Sequence, residues 1–156
     1  MIKVLCHENF IPLSRLFREN NLTSISRNFH PFPLTTESAS LITNQLHQNL
    51  YFGAFLEEII IGFGMLRGWD EGFDVPSLGI LVDHLHQHRG IGRLLTNYAI
   101  SLAESKSCKK IRLSVYEDNL PAMALYSSIG FSELERKIIQ INDETRNKII
   151  MTMQLK

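Results

Sequence analysis

The sequence predicts a mixed α/β domain in which one sheet of about six to seven strands is flanked by about four helices. Two observations predict it. Segments with apolar residues at helical spacing alternate along the chain with β-branched segments that lack this spacing. The resulting order is strand, two helices, three strands, helix, strand, helix and two strands. Three consecutive strands favour antiparallel pairing in the first half, and the later alternation favours crossovers between parallel strands.

The composition is typical of a globular domain of ordinary size. The chain has 156 residues, of which 44% are hydrophobic and 21% are charged. A chain of this length can bury about 70% of its unfolded surface, so we predict a single domain over residues 1–156. Lys and Arg together number 16, as do Asp and Glu. No overall charge therefore favours nucleic acid or an anionic membrane as a partner.

Cysteine usage and hydropathy predict a cytoplasmic protein. Cys6 and Cys108 stand far apart without neighbours at metal-ligand spacing, so we expect neither a disulfide framework nor a zinc site. The longest apolar stretch, residues 59–66, contains two glycines and is far shorter than the roughly 20 residues that a membrane helix needs. We expect no export signal, because the first apolar run is short.

The first third of the chain is predicted to contain one strand and two helices. Residues 2–6 are β-branched and apolar, and Leu/Phe spacing predicts a helix over 13–19. Residues 24–36 carry two prolines and several aromatic rings, which is typical of an ordered loop. A second helix is predicted from Thr36 or Ser38 to Asn49. Its expected buried face consists of Leu41, Ile42, Leu46 and Leu50.

Strands dominate the next segment. Residues 51–56 and 59–69 are predicted to pair as a tight antiparallel hairpin through Glu57 and Glu58, and a third strand over 76–82 follows the polar loop 70–74.

The clearest helix begins at Ile91. Its apolar residues follow the i, i+3, i+4 rule through three turns, at Ile91, Leu94, Leu95, Tyr98, Ala99, Leu102 and Ala103. A strand over 111–116 and a helix over 122–129, with Pro121 in its first turn, come next. Two last strands, 131–141 and 148–155, flank a predicted turn over 142–145.

A glycine motif precedes the long helix. In Gln87-His88-Arg89-Gly90-Ile91-Gly92 the glycines leave the backbone N–H groups of the first helical turn uncovered, and these donors can bind phosphate oxygens. The third glycine of the dinucleotide fingerprint would fall on Leu95, and no Gly-Lys-Ser/Thr follows as in a P-loop. Tight helix-to-strand packing would also explain the glycines, so this motif alone does not decide between the two interpretations.

A second motif lies one strand later. Asn119-Leu120-Pro121-Ala122 follows the strand over 111–116, and Tyr126 comes two helical turns after Asn119. These offsets place Asn119, Ala122 and Tyr126 toward one side of the same helical region.

Together the two motifs resemble those of the GCN5-related N-acetyltransferase (GNAT) superfamily. The first matches the acyl-CoA motif Gln/Arg-x-x-Gly-x-Gly/Ala, and Asn119-x-x-Ala122-x-x-Leu125-Tyr126 with Gly130-Phe131 matches the second motif. The resemblance covers 78–131, about a third of the chain. It implies a sheet splayed at its centre. It also implies transfer of an acetyl group from acetyl-CoA to a primary amine by direct attack, without a metal.

The resemblance further implies individual roles. Backbone amides would hold the CoA pyrophosphate in the segment formed by Gln87, His88, Arg89, Gly90, Ile91, Gly92 and Arg93. Ile80, Leu81 and Val82 would pair their backbone with the pantetheine arm, and an N–H of this strand would stabilise the oxyanion. Asn119 would contact the cofactor. Tyr126 would be the general acid that protonates the CoA sulfur, because a phenol with a pKa near 10 stays protonated at neutral pH.

Some positions depart from the family pattern. His88 stands where many members have glycine, so we expect a backbone conformation open to an L-residue and an imidazole close to a phosphate. His84 stands where proline is common. Because His84, His86 and His88 lack carboxylate or cysteine support, a solvated loop is the preferred interpretation and a metal site the alternative. For Tyr98, a structural role in the core is the preferred interpretation. For Tyr126, the role as general acid is preferred and a structural role in the core is the alternative.

The general base is not identified by position. Many family members carry a glutamate near the start of the strand before the first motif, but residues 76–79 contain no carboxylate. The candidates are Glu71, Asp74, Asp70 and His30, or a water path. An exposed loop position is the alternative for each.

Aromatic residues of two loops could form an acceptor pocket or a hydrophobic cluster beneath a loop, namely Phe29, His30, Phe32, Trp69 and Phe73. Residues 65–79 are similar to GNAT members associated with bacterial surface-sugar pathways, which implies a small amine or an amino sugar as acceptor. A protein N-terminus is the second candidate. A non-catalytic acyl-CoA-binding or regulatory domain is the alternative that the missing carboxylate favours. Homodimers are common in the resembling family, although nothing in this sequence specifies an interface.

Overall fold

The computed structural model describes residues 1–44 and 46–156, and its centre is a mixed sheet of seven strands. The strands are β1 (Ile2–Val4), β2 (Leu50–Leu56), β3 (Ile59–Arg67), β4 (Ser77–Val82), β5 (Lys110–Tyr116), β6 (Ser132–Ile141) and β7 (Glu144–Gln154). Their order across the sheet is β1-β2-β3-β4-β5-β7-β6. All neighbouring strands pair antiparallel except β4 and β5, which are parallel. The predicted mixed architecture is therefore confirmed.

Helices cover both faces of this sheet. They are α1 (Phe10–Glu19), α2 (Thr23–Ser26), α3 (Thr36–Asn44), α4 (Ile91–Ser105) and α5 (Leu120–Ile129), and a 3-10 turn (His7–Asn9) precedes α1. One core lies between the sheet and the helices α4 and α5, where Leu95 and Ala99 pack against Leu113. A second core lies on the opposite face, where Phe17 of α1 packs against Phe63 of β3. No helix of the described residues is long and apolar enough to cross a membrane.

The sheet opens between β4 and β5. These two strands pair only at Ser77 with Arg112 and at Leu78 with Leu113, and then separate. The segment 79–82 keeps its antiparallel partner β3 but has no partner on its β5 side within the described chain. A strand edge with unpaired backbone groups at the centre of a sheet can accept an extended ligand as a further strand.

Several predicted boundaries were wrong. The second predicted helix ends at Asn44, and residues 46–49 are not helical, while Gln45 lies outside the described residues. Leu41 and Leu46 are exposed instead of buried. The helix is rotated so that the small residue Ala39 lies in the second core, with Ile42 beside it. A short helix, α2, also occupies part of the segment predicted as a loop.

The last hairpin is longer than predicted because its turn is shorter. Asn142 and Asp143 both have positive φ, 49° and 65°. Two central residues of this handedness match the right-handed twist of paired strands. Pairing therefore continues from Ile141 directly to Glu144, and β7 begins four residues before the predicted start at Lys148.

Candidate functional site

A cleft of about 1250 Å³ passes through the gap between β4 and β5. On the side of α4 and α5 it is lined by the glycine motif and by Tyr126. On the side of α1–α3 it is lined by residues of the segment 24–31, which includes most of α2, and of the loop 68–75. This volume exceeds the roughly 300–1,000 Å³ of a site for one drug-sized ligand. The cleft therefore has room for two reactants that approach from opposite faces of the sheet.

Free backbone donors line one end of the cleft. Helix α4 begins at Ile91, and its first main-chain bond runs from the Leu94 N–H to the Gly90 carbonyl. Within the described chain, none of the N–H groups of residues 87–93 has a hydrogen-bond partner. These donors and the positive end of the α4 dipole are suited to bind an anion.

The backbone shape of the motif adds to this site. His88 and Gly90 have positive φ, 62° and 81°, while Arg89 between them does not. Alternation of left- and right-handed residues curves consecutive N–H groups around an anion. The sequence predicts that His88 adopts a conformation open to an L-residue. Its φ of 62° lies in the left-handed region, which L-residues adopt rarely, although His tolerates it better than most.

Different structural features explain why glycine stands at each of the two positions in the motif. At Gly90 an added Cβ would meet no atom within 4 Å, so the left-handed φ alone explains the residue. At Gly92 an added Cβ would lie 3.3 Å from Leu125 Cδ2, so the close packing of α4 against α5 explains it. The close packing at Gly92 is therefore between two helices, and not between a helix and a strand as the packing interpretation of the motif expects.

A buried carboxylate holds the turn that leads into the motif. Asp83 accepts a hydrogen bond from Asn20 Nδ2 at 2.8 Å and lies 2.6 Å from His86 Nδ1. The Asn20 side chain also accepts from the His84 N–H at 2.8 Å. Burial opposes ionisation of Asp83, but the hydrogen bonds from Asn20 and His86 and the nearby histidines outweigh it and lower its pKa. His84 and His86 thus have a structural role in this turn.

Tyr126 lies in the wall of the cleft, on the α5 side of the gap. Its ring is buried at 8% exposure and packs edge-to-face on Phe131, with centroids 5.8 Å apart. Burial raises the pKa of Tyr126 to about 12, because the apolar surroundings disfavour the phenolate. The hydroxyl therefore keeps its proton at every physiological pH.

The other predicted cofactor residues gather around the same cleft. Ile80, Leu81 and Val82 line it along the open edge of β4, and all of the residues 87–93 except Arg89 line it at the motif. Asn119 lines it at the start of α5, where its side chain makes no capping bond with the described residues. Tyr98 lies outside the lining and packs on Phe52, with ring centroids 5.2 Å apart.

Comparison with known proteins decides the family. The model of the acetyltransferase (GNAT) family matches residues 19–131. This chain belongs to the GNAT family. Members of this family use acetyl-CoA, and the chain is an N-acyltransferase by class, as the two motifs predict.

Relatives of known activity differ in their acceptors. The chain is 26% identical over 140 residues to the ribosomal protein bS18-alanine N-acetyltransferase of Escherichia coli, covering 84% of this chain and 87% of that protein. It is 30% identical over 82 residues to a streptothricin acetyltransferase from Escherichia coli, covering 52% of this chain and 46% of that protein. A GNAT acetyltransferase from Streptococcus pneumoniae has the same fold, with a TM-score of 0.81, 18% identity and 99% coverage of both chains.

Only three of the five aromatic residues predicted for the acceptor pocket line the cleft. Phe29, His30 and Phe73 line it. Phe32 does not line the cleft. It packs against the second core instead, where its ring centroid lies 5.6 Å from that of Phe17. Trp69 packs at the margin of the first core, with the Lys106 ammonium 5.9 Å from its ring. For these two residues the expectation of a hydrophobic cluster is the better description.

Three of the four candidate bases line the cleft and one does not. Glu71, Asp74 and His30 line the cleft, whereas Asp70 does not. The Asp70 carboxylate accepts the N–H of Gln48 at 2.7 Å and lies 3.5 Å from His47. The His30 Nε2 lies 2.6 Å from the Arg27 carbonyl. Because a carbonyl only accepts, Nε2 carries the proton, and Nδ1 of a neutral His30 is free to accept one.

Sequence reasoning missed Arg146, which fastens the loop over the cleft. Its side chain is 3% exposed and donates to Asp118 Oδ1 and to Asn28 Oδ1, at 2.6 Å each, and to the Arg27 carbonyl. Its guanidinium also stacks 3.6 Å above the ring of Tyr116. The hydrogen bond from Arg146 is the main cause that lowers the pKa of Asp118. Arg146 thus connects β7 and β5 to the segment that carries His30.

Replacing Arg146 tests this connection. We expect Arg146→Met to lower the free energy of unfolding by about 1–3 kcal/mol, because the part-buried hydrogen bonds to Arg27 and Asn28 are lost. Trypsin should cleave after Arg27 faster than in the wild type, since the segment is released. Urea unfolding and timed proteolysis measure both effects. Arg136→Met is the matched control, because Arg136 is an exposed arginine paired with Glu117 and Glu133. Equal behaviour of the two variants would contradict the role of Arg146.

Proposed function

We propose that this GNAT protein transfers the acetyl group of acetyl-CoA to a primary amine of a small molecule by direct attack. The observation that carries the proposal is the continuity of the cleft. It joins the N–H groups of residues 87–93, which have no partner within the described chain, the open edge of β4 and the Tyr126 side chain to a chamber on the opposite face. The ionisable side chains that line this acceptor chamber are His30, Arg67, Glu71, Asp74, Arg112 and Lys148. Acetyl-CoA would supply the acetyl group as a thioester.

The chain's own groups fit the cosubstrate along its length. The N–H groups of residues 87–93 would hold the pyrophosphate, helped by the positive end of α4. The unpaired edge of Ile80, Leu81 and Val82 would bind the amide-bearing arm as an added strand. The Asn119 side chain, which makes no capping bond with the described residues, would orient it from the other wall.

The remaining groups of the cleft would donate and accept protons during the acetyl transfer. As the amine nitrogen forms a bond to the acetyl carbon, a backbone N–H of residues 80–82 would stabilise the oxyanion. The C–S bond then breaks, and the Tyr126 hydroxyl would donate its proton to the sulfur. The ammonium proton leaves through a base on the other face, for which Glu71, Asp74 and His30 are the candidates in the cleft. Solvent returns the proton to Tyr126.

A protein N-terminus is the second candidate acceptor. The relative that acetylates a ribosomal alanine covers 84% of this chain, more than the streptothricin relative does. The small-molecule acceptor is preferred because the segment 24–31, which lines the chamber that a peptide would have to enter, is held in place by Arg146.

Ligand binding and thiol release test the proposal. At 100 times its dissociation constant, acetyl-CoA should stabilise the fold by about 2.7 kcal/mol, which for a chain of this length raises Tm by about 5–10 °C. CoA should act similarly, and NAD and ATP should not. Thiol release is then measured with small amines and with peptides that begin with alanine. No thermal shift with acetyl-CoA would contradict the proposal, and release with peptides alone would decide for the second acceptor.

A further inference from the structure

Two arginines lie on the acceptor side of the cleft, one on each side of β4. Arg67 pairs in register with Ser77, and Ser77 pairs with Arg112. Directly paired residues project on the same face of a sheet. That face is the one of α1–α3, because the Arg67 guanidinium lies 6.0 Å from the ring of Phe32. Arg67, Ser77 and Arg112 thus lie side by side, next to the point where β4 and β5 begin to separate.

Both arginines have a buried donor without a partner. Arg67 Nε and Arg112 Nε are buried and make no hydrogen bond within the described residues. The nearest carboxylate to Arg67 is that of Glu71 at 4.0 Å, beyond hydrogen-bond distance. The described part of the chain offers Arg112 no ion pair. Leaving a buried guanidinium N–H unsatisfied is unfavourable, so these groups are suited to a partner from outside the described chain, either ordered water or an oxyanion of a ligand.

Other charges of the chamber define what that partner carries. Lys148 of β7 also lines it, in register with Tyr116 and without an ion pair in the described chain. Glu71 and Asp74 line it from the loop before β4. The chamber is thus lined by cations from the strands and by carboxylates from that loop, so it suits a molecule that carries both an anionic group and an amine.

We propose that Arg112, together with Arg67 and Lys148, binds an oxyanion on the amine substrate. The substrate class is therefore a primary amine that also carries a carboxylate or a phosphate. A planar guanidinium binds either oxyanion with two parallel N–H bonds. The proposal rests on the acetyltransferase function above and specifies its acceptor.

Paired acceptors test the class. We expect an α-amino acid to have a KM at least about 10-fold lower than its amide, or an amino sugar phosphate to have a KM lower by that factor than the free amino sugar. The first pair measures the contribution of a carboxylate to binding, and the second pair measures that of a phosphate. Equal KM values within both pairs, or a preference for neutral amines, polyamines or alanine peptides, would overturn the proposal.

Variants assign the selectivity to Arg112. Arg112→Gln should raise the KM of the preferred anionic amine by about 10–100-fold and leave the KM of acetyl-CoA and of the neutral amine unchanged. Arg112→Lys should be intermediate, because lysine keeps the charge without the planar fork. Lys110→Gln is the matched control, since Lys110 is an exposed cation two residues earlier on the same strand and outside the cleft. Unchanged selectivity in Arg112→Gln would overturn the assignment.

Calorimetry separates this proposal from the proposed function. The anionic and neutral amines are titrated into wild type and Arg112→Gln in the presence of CoA, which requires no turnover. Absence of thiol release with every amine would count against the acetyltransferase function alone. Binding of anionic amines that is weakened in Arg112→Gln would still support the subsite, and absence of such binding would overturn it.

Discussion

Replacing Tyr126 by phenylalanine should lower kcat by about 10²–10⁴-fold, the usual contribution of a general acid. The substitution removes only the hydroxyl, so the packing of the ring on Phe131 is retained. Binding of acetyl-CoA should therefore change little. A loss in kcat and kcat/KM without a loss of affinity is typical of a group that acts only in the transition state.

Tyr98→Phe is the matched control for this experiment. Tyr98 loses the same atom, but it lies outside the cleft and packs on Phe52. Its kcat should stay within about twofold of the wild type. If Tyr126→Phe turned over as fast as Tyr98→Phe, Tyr126 would have no part in the chemistry, and its burial would be purely structural.

The pKa of Tyr126 also shapes the pH profile. The protonated phenol is the active form, and burial raises its pKa from 10.0 to about 12. Activity from this group is therefore retained as pH rises and is lost only near pH 12, not near pH 10. The profile of kcat/KM, which reports the free enzyme, should show no descending limb up to pH 10. A descending limb centred at pH 8–9 would contradict this assignment of the acid.

A negative charge at His88 should weaken acetyl-CoA binding by about 100-fold. His88 lines the cleft among the free N–H groups of the motif. A carboxylate about 5 Å from a phosphate costs roughly 3 kcal/mol at an effective dielectric constant near 20. Thermal shift and calorimetry with acetyl-CoA measure the loss in His88→Glu. The effect should shrink at high salt, because exposed charges are screened.

His88→Gln separates charge from backbone strain. Both variants place a similar side chain at the same φ of 62°, so both carry the same conformational cost. Affinity in His88→Gln should stay close to that of the wild type. Equal affinity in His88→Glu and His88→Gln would mean that the pyrophosphate does not bind at this motif.

Local spacing in the sequence was sufficient to predict the side of the cleft that carries the glycine motif and Tyr126. The helical period after Ile91, the glycines at 90 and 92, and the offset from Asn119 to Tyr126 lie within contiguous segments. Their relative positions follow from the geometry of one strand-turn-helix unit, which is set by neighbours along the chain. The predicted anion site and the line of residues along β4 therefore fall in one cleft.

The acceptor side could not be predicted in this way. Trp69 and Asp70 were plausible wall and base residues, yet the turn after β3 directs Asp70 to the backbone at Gln48 and Asn49. One signal was present: β5 alternates apolar residues with Arg112 and Ser114. In a sheet covered on both faces, polar residues on one face of a central strand indicate a cavity there.

The sequence alone determined the family, the order of the strands and the two motifs around Gly90 and Tyr126, because these depend on residues close together in the chain. The tertiary structure decided which side chains share the acceptor chamber. Arg67, Arg112 and Lys148 come from three strands far apart in sequence, and only the register of β3, β4, β5 and β7 brings them to one face. Strand register depends on pairing between distant segments, which no local pattern in one chain specifies.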